Sequence, residues 1–247
     1  MTRKAIMIGS PGPKNSVNYL NGVDADLHHF VSFLKSSVGG SWEDEEIVVL
    51  YKCPYENFIE LFQSTYTDFL LVYFSGHGHQ DLKETKIAIN DSESISISQL
   101  ISLVKAPKAL IIIDTCRKPL DEECSNFSGS EYLSFRSTLN HSNSSEKYMQ
   151  IISESKNGIA IAYACSVGEI SNETEFGGSY TYSLLKTSLQ WHENQNNDSV
   201  LLINSANNLA HQYLKFISKF EQNPQIITTN NGEEKVNFPF AIKINSL

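Results

Sequence analysis

Two residues of this chain stand where a sheet would make them chemically useful: a histidine and a cysteine, each just past an apolar run. Phe69-Leu-Leu-Val-Tyr-Phe74 leads through Ser75-Gly76 into His77-Gly78, and Ala109-Leu-Ile-Ile-Ile113 leads through Asp114-Thr115 into Cys116-Arg117. Such runs read as buried strands of a parallel sheet, and open parallel sheets carry their working groups at the carboxyl ends of the strands. A thiol becomes an effective nucleophile when a base or cation favours its thiolate, and an imidazole beside it can also protonate a leaving amine. Gly78 would let a substrate carbonyl approach the backbone closely, and the N–H groups of Gly78 and Cys116 are candidates for an oxyanion hole. The implied chemistry is that of a cysteine hydrolase.

The elements that must position these groups alternate between strand and helix. Strands are predicted at 4–9, 47–51, 69–74, 109–114, 158–164 and 238–244, and helices at 24–38, 55–66, 98–104, 146–155, 179–191 and 200–220. The pattern predicts a three-layer α/β/α sandwich with a mostly parallel six-stranded sheet. From Lys118 to Asn143 the chain is polar and aperiodic, which reads as a long loop. A single domain over 1–247 is expected, with a first part at 1–117, a polar loop at 118–145 and a second part at 146–247.

Composition excludes several classes. The formal net charge is −9, which argues against sequence-independent nucleic-acid binding. No apolar run is long enough to span a membrane. The apolar stretch after Met1-Thr-Arg-Lys4 ends at Gly9, too short for a signal peptide core, so a cytoplasmic location is expected. The four cysteines, Cys53, Cys116, Cys124 and Cys165, have no CxxC spacing and do not suggest a zinc site. Cys165 reads as structural and His79 as a solvent-facing neighbour of His77.

Taken together, Tyr73-Phe-Ser-Gly-His-Gly78 and Ile113-Asp-Thr-Cys-Arg117, 39 residues apart from His77 to Cys116, resemble the motifs of the caspase-like cysteine peptidases, which include metacaspases and paracaspases. Val23-Asp-Ala-Asp-Leu27 is similar to the start of that family's first helix. Ala164-Cys-Ser-Val-Gly168, Gly177-Gly-Ser-Tyr-Thr-Tyr-Ser-Leu-Leu185 and Phe238-Pro-Phe240 are similar to its second half. The resemblance implies a Cys116–His77 dyad. It also implies a specificity pocket unlike that of true caspases, which read aspartate with arginines and a glutamine. Here Asp114 stands two residues before the cysteine, Asp26 at the start of the first helix, and Glu173 near the position of a caspase specificity arginine. Like charges held close together favour a cation between them, and a guanidinium can bond two carboxylates at once. Cleavage of proteins after arginine, with lysine second, is the expectation.

The resemblance requires no cofactor. Calcium, which many metacaspases need, stays open: Glu43-Asp-Glu-Glu46 and Asp121-Glu-Glu123 lack EF-hand spacing. Self-cleavage near Arg136, Lys147 or Lys156 is one route to activation, and an uncut linker is the plainer reading. With so much of the chain given to peptidase motifs, regulation is expected from a partner or a small-molecule activator. Stand-alone bacterial relatives suggest antiviral defence or regulated cell death. The alternatives are a non-catalytic adaptor of the same fold, a protease with a non-basic preference, and a nucleotide-binding module. The last has only Gly9-Ser-Pro-Gly12 in its favour, and Pro11 removes an amide donor.

Overall fold

The computed structural model describes residues 1–119, 141–174, 176–196, 198–217, 221–229 and 236–244. Cys124, Arg136, the acids at 121–123 and most of the predicted polar loop lie outside these residues.

In chain order the elements are β1 (Arg3–Ser10), α1 (Gly22–Lys35), β2 (Ile47–Tyr51), α2 (Tyr55–Ser64), β3 (Phe69–Gly76), β4 (Gly78–Gln80), β5 (Thr85–Ala88), β6 (Ser94–Ser96), α3 (Ile97–Leu103), β7 (Lys108–Asp114), α4 (His141–Glu154), β8 (Gly158–Tyr163), β9 (Glu173–Thr174), β10 (Gly177–Gly178), α5 (Ser179–Glu193), β11 (Val200–Leu202), α6 (Ile203–Ile217), β12 (Gln225–Thr229) and β13 (Pro239–Ile242). The main sheet runs β12-β8-β7-β3-β1-β2. All its pairings are parallel except β12 with β8. This is the predicted α/β/α sandwich.

Every residue of β3 and β7 is buried, because helices cover both faces of the sheet and neither face can be polar. The side chains still alternate. Leu70, Val72 and Phe74 join Ala109, Ile111 and Ile113 on the face covered by α2 and α3, while Phe69, Leu71 and Tyr73 join Leu110 and Ile112 on the face covered by α1, α4, α5 and α6. On α1, Val23, Asp26, Leu27, Phe30, Phe33 and Leu34 form one buried stripe, the three-and-four spacing of a helix face. Phe30 stacks on Tyr73 with ring centroids 4.2 Å apart. Burying such a ring contributes about 2–3 kcal/mol, and it holds the N-terminal half of α1, Asp26 included, against the end of β3.

Two expectations need correction. The predicted sixth strand, 238–244, does not enter the main sheet: β13 pairs with β11 in a two-stranded ribbon, and β12 closes the sheet instead. The predicted helix 200–220 begins only at Ile203, because pairing with β13 draws Val200–Leu202 into β11. Two small hairpin systems were not predicted. β4, β5 and β6 form a three-stranded sheet after His77, and β9 pairs with β10. No helix among the described residues is long and apolar enough to cross a membrane.

Candidate active site

β3 and β7 are neighbours in register, with Ser75 opposite Asp114. The chain leaving each strand therefore carries His77 and Cys116 into one cleft, which Gly78 also lines. The two motifs are packed hard together. A Cβ on Gly78 would lie 2.4 Å from Thr115 Oγ1, closer than any side chain tolerates, and Thr115 Oγ1 donates to Gly76 O at 2.8 Å.

Cys116 is half-buried, and its Sγ lies 3.5 Å from Ser171 O. Burial lowers the pKa of the His77 imidazole below its usual 6.5, partly offset by hydrogen bonds to backbone groups of Asn18 and Pro11 and by the charge of Asp91. Pro11 has no N–H, so the imidazole must donate to its carbonyl. The other cysteines are differently placed. Cys165 is fully buried, its Sγ contacts Thr115 O and Glu169 O, and burial pushes its pKa up to about 12. Burial also raises the Cys53 thiol. His79 sits half-buried on β4 opposite Lys86 and does not line the cleft.

Asp26, Asp114 and Glu173 line the same cleft as His77 and Cys116. Asp26 and Asp114 are 2 % and 5 % exposed. Ser75 Oγ and Gly178 N donate to Asp26 at 2.6 and 2.8 Å. Thr181 N and Oγ1 donate to Asp114 at 3.0 and 2.6 Å, and Ser171 Oγ donates to its other oxygen. The two carboxylates flank one point: a Cβ on Gly178 would lie 2.4 Å from Asp114 Oδ2 and 3.2 Å from Asp26 Oδ2. Burial raises both carboxyls, and Asp114 and Glu173 raise Asp26 further by repulsion. Two buried acids this close do not both ionise readily unless a cation joins them. The cleft itself is narrow, about 30 Å³, room for about two water-sized molecules.

Gly178 has an ordinary extended backbone, so alanine fits its conformation and fails only on space. Gly178→Ala should cost about 1–3 kcal/mol, the usual penalty of overpacking, measured by urea unfolding.

Residues to which the sequence assigned no role complete the surroundings. Arg117 is buried. Its guanidinium donates to Thr85 Oγ1, Cys165 O and Gln225 Oε1 at 3.0–3.1 Å and stacks 4.0 Å from the Tyr163 ring, so the cysteine loop is fixed to β5, β8 and β12 together. Gln222 Nε2 donates to Ala164 O and Ser171 Oγ, steadying the Ser171–Glu173 wall. Of the acids at 43–46, Glu46 holds Arg3 and Asp44 pairs with Lys35. Among the described residues no group of histidines, cysteines and acids could hold a metal ion.

A caspase domain of the peptidase C14 family matches residues 2–234. A paracaspase from Dictyostelium discoideum is 28% identical over 203 residues, which is 75% of this chain and 44% of that protein; the chain thus spans less than half the relative's length. In fold, caspase-1 from Spodoptera frugiperda matches with a TM-score of 0.60 at 16% identity, over 100% of this chain and 92% of that one. A protein from Geobacter sulfurreducens matches with a TM-score of 0.62 at 14% identity, over 99% and 100%. A match that spans nearly the whole chain and takes in both the histidine and the cysteine strands leaves one conclusion: the chain belongs to the caspase domain family of cysteine-type peptidases.

Proposed function

We propose that the chain is a cysteine endopeptidase that cleaves proteins after arginine, and after lysine second. The carrying observation is that two buried carboxylates flank a single point in the cleft that also holds His77 and Cys116. Neutral imidazole accepts the Cys116 proton, and the sulfur attacks the scissile carbonyl carbon. The oxyanion forms beside the N–H groups of Cys116 and Gly78. His77 returns the proton to the departing amine as the C–N bond breaks, leaving a thioester. Water, deprotonated by His77, then releases the acid and restores the thiol. A guanidinium entering between Asp26 and Asp114 satisfies both, and Glu173, which lines the same cleft, adds to the attraction.

A panel of fluorogenic peptides differing only in the residue before the scissile bond tests this. Arginine should exceed neutral residues by about 100-fold or more in kcat/KM, since an unpaired buried charge costs about 3–5 kcal/mol. Equal turnover of aspartate and arginine peptides would refute the acidic pocket. An effector role in bacterial antiviral defence or regulated cell death rests on the resemblance alone. Comparing the viability of cells expressing the active chain and its Cys116→Ala variant would test it.

The pocket also predicts a pH dependence. The carboxyl pKa values are raised, so as pH falls the pair takes up a proton before ordinary acids do, and the site loses charge. KM for an arginine peptide should therefore rise as pH drops, approaching about tenfold per pH unit below the pair's apparent pKa. The His77 limb, displaced below 6.5, should appear in kcat. A KM that stays flat from about pH 8 to pH 5 would count against the charged pair.

A further inference from the structure

The Pro11–Leu20 segment separates the catalytic cleft from a second cavity. Leu20 and Val23 line the cleft, while their neighbours Tyr19 and Asp24 line the second cavity together with Lys14, Tyr51 and Lys52. This second space measures about 380 Å³. Gly12 stands between the imidazole and this space. Gly12, at φ +85°, lies so close that a Cβ there would be 2.9 Å from His77 Nε2, and Lys52 Nζ donates to Gly12 O at 3.1 Å. Taking the endopeptidase reading above as its basis, we propose that this cavity is a subsite for an acidic side chain of the substrate, on the leaving-amine side of the scissile bond.

Direction comes from chemistry and topology together. The imidazole must reach the departing amine, so the leaving half of the substrate lies on the His77 side of Cys116. In the sheet the strands run β7, β3, β1, β2. The substrate beyond the scissile bond thus crosses the ends of β1 and β2, where Lys14, Tyr51 and Lys52 stand. Two strand spacings are about 10 Å, or about three residues of extended peptide.

Charge identifies the occupant. The chain as a whole is acidic, at −9, yet this cavity carries two lysines against one aspartate. Lys52 is engaged with Asp91 at 2.6 Å, whereas Lys14 makes no ion pair among the described residues. Asp24 already has a partner in the Tyr51 hydroxyl, and the Tyr19 and Tyr51 hydroxyls lie 3.2 Å apart. With the Tyr51 proton given to Asp24 and the Tyr19 proton to Tyr51, the Lys14 ammonium is the donor left for a carboxylate, and the two rings flank its methylenes.

Binding to the Cys116→Ala protein tests the subsite without turnover. Fluorescein-labelled peptides would carry arginine or alanine before the scissile position and Glu, Gln or Lys at the second to fourth positions after it, read by fluorescence polarisation. Glutamate peptides should bind about fivefold tighter than lysine peptides, glutamine falling between, and Lys14→Glu should reverse the order. Equal binding of the three, with arginine still preferred over alanine, overturns the subsite and leaves the arginine reading standing. A glutamate preference unaffected by Lys14→Glu also overturns it. A Lys14-dependent glutamate preference without any preference for arginine supports the subsite and overturns the arginine reading. No binding by any peptide overturns both.

Discussion

Cys116→Ala should reduce peptide turnover by about 10⁴-fold or more while leaving the protein folded. Members of a catalytic pair act as a unit, so removal of the nucleophile costs nearly the whole chemical advantage of the site. No other described thiol can take its place. Cys165 is sealed in the core with its pKa pushed up to about 12, which leaves almost no thiolate at neutral pH, and Cys53 lies on the opposite face, packed with Phe58 and Phe62. The substitution removes a half-buried sulfur, so unfolding should shift by about 1 kcal/mol or less. His77→Ala should fall nearly as far, without adding to the loss in the double variant. Titration against an active-site-directed alkylating reagent, followed by turnover assays, checks both. Undiminished turnover by Cys116→Ala would end the dyad assignment.

Asp26→Asn should separate stability from activity. With its pKa raised by burial and by Asp114, the Asp26 carboxyl of the empty protein is readily protonated, and an amide imitates that neutral form. Ser75 and Gly178 remain within hydrogen-bond reach of it. The variant should therefore unfold at the same temperature as the parent or a higher one. Its arginine selectivity should nevertheless fall by about 100-fold, because the guanidinium then meets one carboxylate where it had two, and the rise of KM at low pH should flatten. Asp114→Asn should show the same loss of selectivity at a greater cost in stability, since Asp114 accepts three hydrogen bonds from Ser171 and Thr181 and an amide cannot accept all of them. Comparing thermal unfolding with kcat/KM for arginine and alanine peptides distinguishes a substrate-binding acid from a structural one. If Asp26→Asn lost stability and kept its selectivity, Asp26 would be a packing residue.

Such a site is intelligible as a trade. Buried like charges oppose folding, and they persist where a bound cation relieves them. The serines, the threonine and the backbone amide around the pair lower its cost in the empty protein without removing it.

The sequence by itself determined the order of strands and helices and the chemistry carried at two strand ends. Long, unbroken apolar runs such as Phe69–Phe74 and Ala109–Ile113 have one stable home, a sheet covered on both faces, and the residues just beyond them must emerge at one edge. Short segments carried no such message. Gln225-Ile-Ile-Thr-Thr229 shows no alternation of polar and apolar residues and gains its place only by pairing with β8, while the more apolar Pro239–Ile242 is buried outside the main sheet. The family resemblance points to Asp26 and Asp114 sharing a pocket; the tertiary structure decided that Gly178, far off along the chain, meets both. It alone decided that Arg117 binds three elements together, and that the segment beside His77 separates two cavities. Local periodicity is set by neighbours a few residues away, whereas these contacts depend on how the hydrophobic faces of whole elements come together.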